Sequence, residues 1–255
     1  MPAPGRGPTL PRVPPDAAPP PDLANRLAAI AWPQLHRDLD ADGCALAPDL
    51  LTRAECEHLI ALYPRDDGFR SRVVMARHGF GSGEYRYFAE PLPDLVARLR
   101  AGLYPHLAPL ANRWHAAMGR PADFPPDHAA YRERCHAAGQ RRPTPLLLAY
   151  AEGDYNCLHQ DLYGEHVFPL QCAVLLSEPG RDHTGGEFVL SEQRPRRQSR
   201  ALVVPQRQGD LLVFAVSQRP VQGPRGTHRV TLRHGVSRVR SGRRHALGVI
   251  FHDAL

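Results

Sequence analysis

From Pro145 onward the chain is a succession of short apolar segments separated by turns. Leu146 to Ala151, Phe168 to Leu176, Glu187 to Leu190, Ala201 to Val204, Asp210 to Ala215, Val230 to Val236 and His245 to Phe251 each have strand length. Glycine pairs such as Gly185-Gly186 and the Gly209-Asp210 turn punctuate them. Short strands at this spacing argue for a sandwich or barrel, and a double-stranded β-helix, or jelly roll, is the economical choice.

The first half has a different rhythm. Thr52-Arg53-Ala54-Glu55 is a capping-box pattern, followed by Cys56, Leu59, Ile60 and Tyr63 at helical spacing. A short helix is expected over Leu23 to Ile30, closed by Trp32-Pro33, and a strand over Gly43 to Ala47. Leu95, Leu99, Leu103, Leu107 and Leu110 predict a helix over Leu92 to Met118, divided or kinked at Pro105 and Pro109. One more short helix is expected near Ala129 to His136, with His106, His115, His128 and His136 as surface or loop histidines. Helices first and strands afterwards make the chain α+β. The expected layout is a disordered proline-rich tail over 1–22 and a single domain over 23–255. Helical support would occupy about 50–143 and the jelly-roll core about 144–255.

Two strands, Arg70 to Met75 and Tyr85 to Phe88, flank Arg77-His78-Gly79-Phe80-Gly81-Ser82-Gly83. Without the full Gly-x-Gly-x-x-Gly spacing and a following helix this is no dinucleotide loop. It reads as a flexible hairpin; in a functional role, Arg77, Tyr85 and Tyr87 would contact substrate.

His159-Gln160-Asp161 places an imidazole and a carboxylate two residues apart, on one face if the strand is extended. Two ligands do not close a metal site. His234 is the candidate third, and two histidines with one carboxylate leave positions open, as non-haem Fe(II) oxygenases require. His228 competes for that place, with Arg238 ten residues later, but its following glycine and apolar positions fit less well. His166 and His183 fall in or beside loops, where a solvated side chain is the simpler expectation.

The five scattered cysteines form no Cys-x-x-Cys pair and suggest neither a disulfide framework nor a thiolate zinc site. They suit a reducing cytoplasm. No apolar run approaches the roughly 18 residues of a membrane span, and no signal-peptide layout opens the chain. Between Arg194 and Arg244 there are thirteen arginines against the single acid Asp210. Such a segment either binds a polyanion or lies in solvated loops.

Several linked motifs resemble the Fe(II)- and 2-oxoglutarate-dependent dioxygenases. Tyr150-x-x-Gly153-x5-His159-x-Asp161 is similar to that family's first metal motif, Gly185-Gly186-Glu187-Phe188 to its mid-domain turn, and Gly209-Asp210-Leu211-Leu212-Val213-Phe214 to its entry strand. His234, Val236, Val239, Gly242, Arg244, Leu247 and Phe251 resemble its closing run, the arginine ten residues after the histidine. The segment from His159 to Gln171 resembles a bacterial branch of oxygenases proposed to act on damaged DNA, related to prolyl-hydroxylase-like and alkylation-repair enzymes. The latter commonly carry an asparagine where this chain has Leu148.

The resemblance implies His159, Asp161 and His234 as iron ligands, Arg244 as the anchor of the distal 2-oxoglutarate carboxylate, and Tyr150 as a second donor to it. It implies Fe(II), 2-oxoglutarate and O2 as cofactors, and hydroxylation or oxidative demethylation coupled to 2-oxoglutarate decarboxylation. An alkylated base in DNA or RNA is the substrate it suggests. The alternatives are a peptide or protein hydroxylated by a prolyl-hydroxylase-like enzyme, or a basic nucleic-acid-binding protein with a non-catalytic metal site.

Overall fold

The computed structural model describes residues 22–162, 164–194, 196–224 and 226–255. The expected disordered tail therefore lies outside the described residues, except for Asp22. That residue caps the first helix, its side chain accepting from the Asn25 backbone amide at 2.9 Å.

The described residues form five α-helices in order: α1 (Leu23–Ala29), α2 (Trp32–Asp42), α3 (Arg53–Leu62), α4 (Asp94–Ala117) and α5 (His128–Ala137). The strands are β1 (Cys44–Ala47), β2 (Phe69–Val74), β3 (Gly81–Ser82), β4 (Glu84–Phe88), β5 (Leu146–Tyr150), β6 (Tyr155–His159), β7 (Leu170–Leu175) and β8 (His183–Gly185). They continue as β9 (Phe188–Gln193), β10 (Arg200–Val204), β11 (Leu211–Ala215), β12 (Gln218–Gly223), β13 (Gly226–Val236), β14 (Val239–Gly242) and β15 (Arg244–Val249).

The strands form two main sheets, a jelly roll. The larger has the order β1-β11-β7-β15-β5-β4-β2, the smaller β10-β9-β13-β6-β3 with β12 against β13, and β8 pairs with β14. The mixed α+β class is as expected, but the helical support also contributes to the sheets. β2 and β4 extend one edge of the larger sheet, and β1 from the N-terminal region closes the other.

The capping box forms as the sequence indicates. The Glu55 amide donates to Thr52 Oγ1 at 3.2 Å and the Thr52 amide to Glu55 Oε2 at 2.8 Å. Pro33, expected to close a helix, opens α2 instead. In the first turn its missing N–H has no intrahelical acceptor to lose. α4 runs through Pro105 and Pro109 as one helix of 24 residues, its leucine face and Trp114 buried. Burial of that face holds it together where propensity alone would interrupt it.

The histidines of this half are not all at the surface. His128 is buried, with Nε2 2.9 Å from the Phe251 carbonyl, and burial pushes its pKa down to about 3. His136 lies 2.8 Å from Asp253, which also receives a hydrogen bond from the buried Arg100 at 2.7 Å. His106 stacks on Trp32, and His115 reaches the Pro121 carbonyl.

Candidate active site

β6 and β13 run antiparallel in the smaller sheet, and their register sets His159 directly against His234. The two rings are 4.2 Å apart, and Asp161, just past the end of β6, turns its carboxylate to both. One oxygen lies 3.6 Å from His159 Nε2 and the other 3.4 Å from His234 Nε2. All three donor atoms fall within 4.8 Å of one another. Donors bound about 2.1 Å from one cation and roughly at right angles sit about 3 Å apart, so a small closure suffices.

The tautomer of His159 supports this arrangement. Its Nδ1 lies 2.8 Å from the Cys157 carbonyl, which can only accept, so Nδ1 carries the proton and Nε2 keeps its lone pair. Burial, followed by neighbouring His234, lowers the His159 pKa and favours the neutral form a metal ligand needs. Two imidazoles and one carboxylate with open positions suit Fe(II).

The opposite wall is the larger sheet. Arg244 begins β15, pairs with Tyr150 on β5, and its guanidinium lies 5.5 Å from the centre of the Tyr150 ring. Arg244 is 3 % exposed, has no ion pair among the described residues, and its Nε has no hydrogen-bond partner. Burial lowers its pKa, partly opposed by Tyr150 and Glu187. The Tyr150 hydroxyl is also buried, without a hydrogen bond of ordinary geometry among the described residues, although Asn156 lies nearby. Burial raises its pKa to about 12, against the lowering influence of Arg244, so it remains a donor.

Gly186 makes room for Arg244, and Gly185 for the Arg238 carbonyl. Both have positive φ, +70° and +68°, and a Cβ on Gly186 would lie 2.8 Å from Arg244 Cδ.

Between the sheets is a cavity of about 210 Å³ containing the His-Asp-His cluster, Arg244, Tyr150, Tyr85 and Tyr87. Tyr85 and Tyr87 meet edge to face at 5.4 Å, and Arg70 lies over Tyr87 at 4.4 Å. Arg77 is exposed on the 3-10 turn Met75–His78 and does not line the cavity.

The expected flexible hairpin over 77–83 is instead tied to the smaller sheet. β3 pairs with β6, and the Cys157 amide donates to the Phe80 carbonyl at 2.9 Å. Gly81 permits the contact, because a Cβ there would sit 2.4 Å from the Tyr155 carbonyl oxygen. His183, expected in solvent, is buried on β8, its Nε2 without a partner among the described residues.

Phe80, Asn156, Gln171, Phe188 and Phe214 also line the cavity. Phe188 closes the mid-domain turn motif and Phe214 the entry-strand motif, and neither motif by itself gives its phenylalanine a place at the site. Their rings flank His234 at 5.9 and 4.6 Å. Gln171 ends the segment from His159 that resembles the bacterial branch, but nothing in that segment gives it a role.

The arginine-rich segment is not one uniform basic surface. Arg219 is buried against Glu192, which Arg194 also contacts at 2.8 Å, while Arg240 meets Glu187 at 2.8 Å. These acids precede Arg194 in sequence and lie outside the arginine-rich segment. Arg233 and Arg243 remain exposed.

A jelly roll bearing this open donor set, faced by a buried arginine, defines a protein of the non-haem iron oxygenase class. More particularly, residues 83–254 match the Oxygenase-NA family, described as oxygenases catalysing oxidative methylation of damaged DNA, and the chain belongs to that family. A Mycobacterium tuberculosis protein (strain ATCC 25618 / H37Rv), named only as uncharacterized, is 51% identical over 167 residues, 66% of this chain and 72% of that protein.

Among solved structures, a Trichoplax adhaerens prolyl hydroxylase in complex with a hypoxia inducible factor oxygen degradation domain peptide fragment aligns with a TM-score of 0.55. It is 14% identical and covers 91% of this chain and 92% of that one. A 2OG-Fe(II) oxygenase family oxidoreductase from Burkholderia pseudomallei gives 0.51 at 15% identity, covering 94% and 95%. At these identities the likeness is one of fold.

Fe(II), 2-oxoglutarate and O2 are the cofactors of the dioxygenases this chain resembles, and the residues present fit them. The three donors suit the iron and leave positions open, while Arg244 offers a dicarboxylate an unpaired planar cation.

Proposed function

We propose that this oxygenase is an Fe(II)- and 2-oxoglutarate-dependent dioxygenase that oxidatively demethylates an alkylated nucleobase in DNA or RNA. The observation that carries the co-substrate assignment is the buried, unpaired Arg244 facing the metal cluster across the cavity. A guanidinium without an anion is costly in such surroundings, and a bound carboxylate would compensate it.

His159, Asp161 and His234 would hold the iron. Arg244 would fix the distal carboxylate by a forked pair of hydrogen bonds, with the Tyr150 hydroxyl as a further donor. Phe188 and Phe214 keep water from one side of His234. The bound iron and 2-oxoglutarate would supply the oxidising chemistry, in which O2 hydroxylates the substrate while 2-oxoglutarate yields succinate and CO2.

The family description supports damaged DNA as the substrate. Oxidation at an N-methyl carbon removes that methyl group: the hydroxymethyl product breaks its C–N bond, leaving formaldehyde and the N–H base. The cavity is too small for paired bases, so a target base must be flipped out or single-stranded. Tyr85, Tyr87 and Phe80 are available to stack on it. Arg77, exposed on the neighbouring turn, is proposed to meet the backbone outside the cavity.

No helix among the described residues is long and apolar enough to cross a membrane. All five cysteines are free, which suits a reducing compartment, and we assign the activity to the cytoplasm on that ground.

The test is succinate and formaldehyde release with Fe(II) and 2-oxoglutarate. Methylated oligonucleotides should stimulate both, whereas unmethylated oligonucleotides and proline-containing peptides should not. Stimulation by peptide alone would establish the hydroxylase alternative. Oligonucleotide binding without 2-oxoglutarate turnover under any condition would establish the non-catalytic one.

A further inference from the structure

We propose that Gln171 is a specificity-determining residue whose carboxamide reads the hydrogen-bonding edge of the target base. Gln171 is 5 % exposed, lines the cavity, and its Oε1 has no hydrogen-bond partner among the described residues. An unsatisfied buried carbonyl is costly, so this position suits a group that receives a partner when the site fills. The inference rests on the nucleobase assignment proposed above.

The register of the larger sheet places Gln171 away from the co-substrate anchor. Arg244 pairs with Tyr150 at one end of β15, whereas Val249 near the other end pairs with Cys172. Gln171 is one step beyond that pair, so it lies about six residues from Arg244 along the strand direction, roughly 20 Å at 3.3 Å per residue. It pairs with Phe214, whose ring is 4.6 Å from that of His234. Gln171 is therefore at the metal end of the cavity. A five-carbon acid extending from the metal toward Arg244 leads away from it, leaving the carboxamide for the other substrate.

The remaining polar groups sharpen this assignment. Gln160, though also in the cavity, donates to the Leu232 carbonyl at 2.7 Å and the Ser217 carbonyl at 3.3 Å. Around Gln171 the lining is largely apolar, including Ala173, Phe214, Gly248 and Ile250. A neutral carboxamide in such a wall offers one donor beside one acceptor, whichever way its end is turned. The group that satisfies Oε1 is the exocyclic amino donor of an N-methylated adenine or cytosine, which survives methylation of the neighbouring ring nitrogen. A ring edge with only carbonyls flanking its substituted nitrogen, as in an N3-methylated thymine, does not match it.

The test uses the full chain with Gln171→Met, which preserves length and removes hydrogen bonding, and Gln171→Glu, which preserves shape and removes the donor. Single-stranded oligonucleotides carrying one N-methylated adenine, cytosine or thymine are compared by formaldehyde release. Succinate formation without oligonucleotide and the anaerobic Fe(II)–2-oxoglutarate absorption report the rest of the site.

Gln171→Met should retain the absorption and basal succinate formation. Its kcat/KM on methyladenine or methylcytosine should fall about tenfold or more, with little change on methylthymine. Gln171→Glu should lie between the wild type and Gln171→Met.

Undiminished amino-base turnover in both variants, or an equal loss on all three bases, overturns the inference while leaving the nucleobase assignment standing. Loss of the absorption band also overturns it, because Gln171 would then be supporting His234, whose buried Nδ1 is itself unpartnered. If no oligonucleotide stimulates the wild type, or only peptide does, the nucleobase assignment fails and this inference with it.

Discussion

Replacing Arg244 with methionine should move stability and ligand response in opposite directions. The guanidinium is 3 % exposed and unpaired among the described residues; Tyr150, at 5.5 Å, offers only a cation–π contact in compensation. Replacing buried ions by apolar groups of similar volume is often neutral or stabilises by about 1–4 kcal/mol. Arg244→Met should therefore raise the melting temperature of the ligand-free protein by roughly 2–16 °C. Truncating one member of a buried charge pair costs about 2–5 kcal/mol, so 2-oxoglutarate affinity should fall on the order of 30- to several-thousand-fold.

The assay is thermal unfolding with Fe(II), under anaerobic conditions, with and without 2-oxoglutarate. At about 100 times its Kd the ligand should stabilise the wild type by about 2.7 kcal/mol, and the same concentration should stabilise Arg244→Met by no more than about 0.9 kcal/mol. A variant less stable than the wild type without ligand, or equally stabilised by 2-oxoglutarate, would refute the role given to this arginine.

Gly186→Ala combines a φ of +68° with a Cβ 2.8 Å from Arg244 Cδ. It should weaken 2-oxoglutarate binding while leaving Fe(II) affinity near wild type, as paired titrations will show. Asp253→Leu strands the buried Arg100 and should destabilise the fold by about 3–5 kcal/mol in urea unfolding.

Burial lowers the folded-state pKa of His128 to about 3 and those of His245 and His252 to about 4. The unfolded chain takes up these protons first, near pH 6.5, so the associated stability is present above that pH. It declines as pH falls to about 4 for His245 and His252 and about 3 for His128. Urea midpoints measured between pH 7.5 and 3.5 should drop steeply across that interval; a flat profile would contradict these burials.

Local patterns announced those parts of the molecule whose physics is local. Thr52 and Glu55 complete a cap within one turn, and the residues following His234 distinguish it from His228 before any sheet is known. Pro33 misled because the same ring that closes one helix is equally suited to opening the next.

Long-range features were hidden. Burial of His128 depends on the carbonyl of Phe251, and Arg219 is matched by Glu192 only when β12, β13 and β9 lie side by side. The exposed-looking loop over 77–83 becomes a sheet edge because Gly81 can approach Tyr155. Gln171 belongs with these: its significance comes from facing a cavity assembled by other strands.

The most direct measurement is anaerobic titration of the Fe(II)-loaded protein with 2-oxoglutarate, followed by visible absorption. The wild type should develop a saturable metal-to-ligand charge-transfer band, and His234→Ala should abolish it while the protein remains folded by circular dichroism. Absence of the band from iron-loaded wild type, or an unchanged band in His234→Ala, would contradict the proposed site.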